Sequence, residues 1–72
     1  MNTKKLKSII ILNGDTQSKL AKEVGISEQR LSCKINEKNG AEFTQSEIAT
    51  IKRRYNLKAD DVDSIFFNFF VS

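Results

Sequence analysis

Apolar residues recur along this chain at helical spacing, in short runs separated by glycines and polar turns. Leu6, Ile9 and Ile10 fall at i, i+3 and i+4 and mark one face of a first helix over about residues 3–12. Asn13-Gly14 ends it, because glycine adopts the left-handed conformation that closes a helix. A second helix is predicted over 17–24, with Thr16 as N-cap and Leu20, Ala21 and Val24 on its inner side. After Gly25, Ser27 caps a third helix over 28–36 that turns Leu31 and Ile35 inward. Residues 37–43 form a loop centred on Asn39-Gly40. The fourth helix, over 45–55, has the clearest start in the chain. Thr44-Gln45-Ser46-Glu47 reads as a capping box, and Phe43 and Ile48 flank it at hydrophobic-staple spacing. Ile48, Ile51 and Tyr55 face the core, and Asn56-Leu57 breaks the helix. A fifth helix opens near Ala59 and covers 60–69. Asp60, Asp61 and Asp63 sit near the positive end of its dipole, and Val62, Ile65, Phe66 and Phe69 repeat at i, i+3, i+4 and i+7. No stretch of useful length alternates with period two. The expected fold is therefore all-α, one compact five-helix domain over residues 1–72.

Composition narrows the chemistry. A chain of 72 residues buries only about 60% of its unfolded surface, which argues against a deep enclosed active site. There is no histidine, so His-based acid–base catalysis and His-ligated metal are excluded. Cys33 is the single cysteine, which rules out an intrachain disulfide and fits a reducing cytosol. No phosphate loop, metal cluster or nucleophile–base pair stands out, so neither enzymatic activity nor a cofactor or small-molecule ligand is expected. No segment is long enough to span a membrane. Lys4-Lys5 followed by Ile9-Ile10-Ile11-Leu12 faintly resembles a signal peptide, but its apolar run is shorter than the roughly 7–15 residues a signal needs. A soluble, cytoplasmic protein is expected. The net charge is +3, unevenly spread. Residues 1–58 hold all twelve basic residues and six of the nine acids, whereas residues 59–72 hold the three remaining acids and no base. The larger, basic part suits a polyanion.

The informative stretch runs from Thr16 to Asn36. Two short helices meet there at a three-residue turn, Gly25-Ile26-Ser27. A sharp crossing needs a small residue where the helices touch, which Ala21 supplies. It needs a residue tolerant of positive φ, which Gly25 supplies. Ile26 plugs the turn and Ser27 caps the next helix, while Leu20, Val24, Leu31 and Ile35 close a small core beneath. This is the physics of a helix-turn-helix. With Leu31 and Ile35 set inward and about 100° per residue, the opposite face of the third helix carries Gln29, Cys33, Asn36 and, at its edge, Ser32, with Glu28 at the N-terminal tip.

The string Thr-Gln-x-x-Leu-Ala-x-x-Val-Gly-Ile-Ser over 16–27 closely resembles the lambda-repressor/Cro-like, or XRE-type, helix-turn-helix family. The likeness covers about residues 3–67 and includes the five-helix layout. It implies a regulator whose third helix enters the major groove of double-stranded operator DNA. It also implies that Glu28, Gln29, Ser32 and Cys33 occupy base-reading positions. Gln can pair bidentately with adenine, and Glu can accept from cytosine N4. Glu28 must pair with Arg30 or a base to escape phosphate repulsion. The family uses the position of Gln17 to hold a phosphate at a helix start. Arg30, Lys34 and Asn36 flank the reading face as candidate backbone contacts, and Lys38 and Asn39 lie beyond them in a loop that often meets the sugar-phosphate chain. One departure concerns register: the last inward residue is Ile35, where many members place it one position earlier, which puts Lys34 outside. Cys33 is expected to act as a small neutral side chain rather than a redox or metal group.

The run Phe66-Phe67-Asn68-Phe69-Phe70-Val71 is unusually aromatic. Phe67, Phe70 and Val71 fall off the core face. They either fold back over the core or form a self-association patch for a homodimer. A two-fold dimer would set two reading helices about one DNA turn apart. A Cro-type regulator acting by occupancy is the first functional expectation. The alternative is a protein-binding module on the same fold, antirepressor- or antitoxin-like, that masks another regulator.

Overall fold

The computed structural model describes residues 1–67. They form five α-helices: α1 (Thr3–Leu12), α2 (Gln17–Val24), α3 (Glu28–Ile35), α4 (Gln45–Arg54) and α5 (Ala59–Phe66). A single turn of 3-10 helix, Lys38–Gly40, lies between α3 and α4, and no strand occurs among the described residues.

The caps expected from the sequence are formed. Thr16 Oγ1 accepts the Lys19 amide at 3.1 Å, and Ser27 Oγ accepts the Arg30 amide at 3.1 Å. Thr44 and Glu47 close a reciprocal capping box: the Glu47 amide donates to Thr44 Oγ1 at 3.2 Å and the Thr44 amide to Glu47 Oε1 at 2.8 Å. Asn2 performs the same service for α1, accepting the Lys5 amide through Oδ1 at 3.1 Å. Each such cap contributes about 1 kcal/mol by satisfying an amide with no intrahelical partner. Gly25 terminates α2 at φ 88°, where the Ala21 carbonyl accepts both the Gly25 and Ile26 amides.

The inward faces meet in one core of Leu6, Ile10, Leu20, Ala21, Leu31, Ile35, Ile51, Tyr55, Val62, Ile65 and Phe66. Met1, Ile9, Val24, Ile26, Phe43, Ile48 and Leu57 pack around it, half-buried. Burying each large aliphatic side chain stabilises the fold by about 1.5–3 kcal/mol. Two hydrogen bonds, one from the backbone and one from a side chain, lock the start of the chain onto it. The Asn2 amide donates to the Ile65 carbonyl at 2.7 Å, joining α1 to α5, and Thr3 Oγ1 donates to the Ile35 carbonyl at 2.8 Å, joining α1 to the end of α3.

Three boundaries differ from the sequence reading. Asn36 and Tyr55 are C-caps rather than last-turn residues, and α5 ends at Phe66, with Phe67 as its cap. Phe69, Phe70 and Val71, which the sequence assigns to core or interface, lie outside the described residues. Phe67 is 42% exposed, off the core face as expected. Ile11 and Leu12, at the end of α1, are 73% and 83% exposed. No helix of the described residues is long and apolar enough to cross a membrane.

Candidate nucleic-acid interface

The core sets which side of α3 faces outward. Leu31 and Ile35 are fully buried, which leaves Glu28, Gln29 and Arg30 exposed and Ser32 and Cys33 half-buried on the remaining surface. Gln17, in the first turn of α2, lies beside them. Gln17, Glu28, Gln29, Ser32, Cys33 and Lys38 together line one shallow, open depression. Six candidate residues drawn from α2, α3 and the following turn thus share a single patch. Their groups are complementary in kind: two amides that both donate and accept, a carboxylate, a hydroxyl, a thiol and an ammonium. Arg30, Asn36 and Asn39 are exposed but lie outside the depression. Glu28 and Arg30 form no ion pair with each other or with any other described residue, so both charges meet solvent.

Asn36 is partly committed. Its amide nitrogen donates to the Ser32 carbonyl at 2.9 Å and contacts Ser32 Oγ at 3.4 Å, while its Oδ1 accepts from Lys7 Nζ at 3.3 Å. It closes the last turn of α3 and fixes the Ser32 hydroxyl at the edge of the depression. The turn beyond is held in left-handed conformations at Glu37 and Asn39, with φ 53° and 54°. These bring Lys38 back beside the start of α2.

Lys34 requires a correction. The register argument put it outside as a backbone contact, but it is buried, with 9% of its surface exposed. Its Nζ donates to both Glu47 carboxylate oxygens, at 2.6 and 2.7 Å. Helical periodicity leaves Lys34 beside Ile35 at the rim of the core, and its long stem reaches α4, where the capping-box carboxylate receives the charge. Burial alone would raise the Glu47 pKa. The bonds from Lys34 and the Thr44 amide outweigh that, and the carboxyl titrates below its ordinary value. This charge is therefore spent inside the protein, and of the basic candidates on this side Arg30 and Lys38 remain outward.

A second cluster escaped the sequence reading. Asp15, whose side chain is 6% exposed, accepts Arg54 Nε at 2.7 Å and Arg54 Nη2 at 3.0 Å. It also accepts the Tyr55 hydroxyl at 2.6 Å and the Thr16 amide at 2.9 Å. The Arg54 fork holds the Asp15 carboxyl well below the usual carboxylate range, against the opposing effect of burial, with Tyr55 and Thr16 adding to it. Burial first, then the facing Asp15 carboxylate, pushes the Tyr55 phenol above its ordinary value. Since Asp15 immediately precedes the α2 N-cap, the clamp anchors the turn that presents Gln17. Arg54 also cancels a negative charge that would otherwise repel an anion there. The bonded partners lie 39 and 40 residues apart, and no local motif announces them.

No protein-family model matches the chain, no curated protein matches it significantly in sequence, and no solved structure matches it significantly in fold.

Proposed function

We propose that this chain is a sequence-specific double-stranded DNA-binding regulator of the lambda-repressor/Cro-like type, with α2 and α3 as the helix-turn-helix and α3 as the reading helix. One observation carries the reading: Gln17, Glu28, Gln29, Ser32, Cys33 and Lys38 converge on one outward depression. In this arrangement Gln29 pairs with adenine and Glu28 accepts from a cytosine amino group. Ser32 and Cys33 meet base edges deeper in the groove. Gln17 at the start of α2, Lys38, Asn39 and Arg30 engage the sugar-phosphate chain, which fixes register without reading sequence. The outward cations Arg30 and Lys38 correspond to a salt slope of about −2 per chain, or about −4 for two chains on a palindrome. The protein acts by occupancy, blocking or recruiting at its site.

A second reading has one observation in its favour. With Lys34 paired to Glu47, Lys38 is the one cation among the residues lining a depression that also carries the unpaired Glu28. Such a surface suits a protein partner in the manner of an antirepressor or antitoxin. Selection of random duplex DNA on the intact protein at low salt separates the two. Enrichment of a common motif, with protection of that motif in footprinting, supports the regulator. Uniform recovery of all sequences refutes it and leaves the protein-binding module.

A further inference from the structure

The first turns of α1 run beside the end of α3. Thr3 Oγ1 donates to the Ile35 carbonyl at 2.8 Å, and Lys7 Nζ donates to Asn36 Oδ1 at 3.3 Å. Thr3 and Lys7 stand four positions apart on one helix and so share a face, and their partners are consecutive at the α3 C-terminus. This two-point grip fixes where Lys7 places its charge. Lys5 turns elsewhere: its Nζ donates to Ser64 and faces Asp61 at 3.7 Å, both on α5. Lys7 has no such counter-charge, since none of the ion pairs among the described residues includes it. Glu37, the acid next to Asn36, faces the terminal ammonium of Met1 at 3.5 Å instead.

Asn36 decides what this arrangement can bind. An amide side chain has two N–H donors and one oxygen. The nitrogen is turned to Ser32, onto its carbonyl at 2.9 Å and its hydroxyl at 3.4 Å. The oxygen faces Lys7. Asn36 thus has no donor left for an anion. The ammonium carries a full charge and, of its three donors, two beyond the one on Asn36. Through Asn36 it is tied to Ser32, which lines the depression. We propose that Lys7 is a further residue of the DNA interface, contacting a backbone phosphate at the C-terminal end of the reading helix, and that Asn36 is the positioning residue that holds it there. This role rests on the DNA-binding reading above. With Lys34 drawn in to Glu47, the cation at this end of α3 comes from α1, 29 residues away in the chain. Its charge also offsets the negative end of the α3 dipole, which otherwise disfavours a phosphate there. Lys7 then steepens the salt slope by about 0.9 per chain.

Binding of the intact protein to a duplex bearing its selected motif, followed from about 50 to 200 mM salt, tests this. Lys7→Gln should make the slope shallower by about 0.9 per chain, so its affinity falls about 3–4-fold less than the parent's over that range, with base preference unchanged. Lys7→Arg should restore the parent slope. Asn36→Ala should weaken the parent more than it weakens Lys7→Gln. Duplexes in which one backbone phosphate at a time becomes a neutral methylphosphonate locate the contact: one replacement should weaken the parent and leave Lys7→Gln unchanged. If the parent binds its motif while Lys7→Gln keeps the parent slope, the inference is overturned. It is equally overturned if every replacement weakens both proteins alike, or if Lys7→Gln lowers Tm and moves neither binding readout, which makes Lys7 purely structural. A parent that selects no sequence and binds no duplex refutes the underlying reading, and this role with it.

Discussion

Replacing Glu47 by glutamine is the sharpest probe of how α3 is fixed to the rest of the molecule. Glutamine keeps an oxygen for the Thr44 amide, so the α4 cap survives. The two charge-assisted bonds from Lys34, at 2.6 and 2.7 Å, lose their carboxylate. Lys34 is then a cation with 11% of its side chain exposed and no counter-ion. Breaking a fully buried pair from one side costs about 3–5 kcal/mol. The residual exposure and the flexible lysine stem relieve part of this, so the expected loss is about 2–3 kcal/mol. In a domain of this size that lowers Tm by about 8–24 °C. The double variant Lys34→Met/Glu47→Gln removes both charges, and methionine refills the stem. It should unfold within about 1 kcal/mol of the parent. Circular dichroism at 222 nm through thermal and urea unfolding at pH 7 measures all three proteins. The reasoning fails if Glu47→Gln costs under about 0.5 kcal/mol, or if the double variant is no better than the single. Either result means that Lys34 is solvated and returns it to the phosphate-contacting set suggested by the sequence.

The same structure sets further expectations. Gln29→Ala should weaken binding to a selected operator by about 1–3 kcal/mol, roughly 5–150-fold, and relax preference at one base pair, as read by competition binding. Lys34→Met should leave the salt slope of binding unchanged, because its charge faces Glu47 rather than DNA. Gly25→Ala meets no steric neighbour within 4 Å, so its cost is the positive φ alone, about 1–2 kcal/mol in urea unfolding. Asp15 and Glu47 both titrate below their unfolded values, so their contribution is present above about pH 4–5 and is lost as pH falls through their folded values. Asp15→Asn should therefore flatten the acid limb of the stability profile. Tyr55 titrates above its unfolded value, so its contribution is full below about pH 10 and is lost at higher pH, a limb that Tyr55→Phe removes.

What could be read from the sequence was local. Thr16, Ser27 and Thr44 each declare a helix start within four residues, and Gly25 declares a stop, because caps and left-handed turns depend on near neighbours. Helical periodicity correctly placed Leu20, Ala21, Leu31, Ile35 and Ile51 inside. The outward face of the third helix, with Gln29, Cys33, Asn36 and, at its edge, Ser32, follows by subtraction, whereas the set Glu28, Gln29, Ser32 and Cys33 is what the family resemblance implies. Periodicity does not say where a long side chain on the boundary sends its charge. Lys34 finds Glu47 thirteen residues away, across the loop, and Asp15 finds Arg54 and Tyr55 on the far side of the chain. Those pairings depend on how helices pack, which the pattern along one helix does not contain. The end of α5 was misjudged for a related reason: apolar spacing continues through Phe69, although the helix stops at Phe66.

The most direct test of the functional account is an amide chemical-shift titration of the intact, isotopically labelled protein with a short duplex bearing the selected motif. The account predicts the largest changes at Gln17, Glu28, Gln29, Ser32, Cys33 and Lys38, with the α1 face around Ile11 and Leu12 unaffected. Changes centred on α1 or α5 with that patch silent, or no change at low salt, would contradict it.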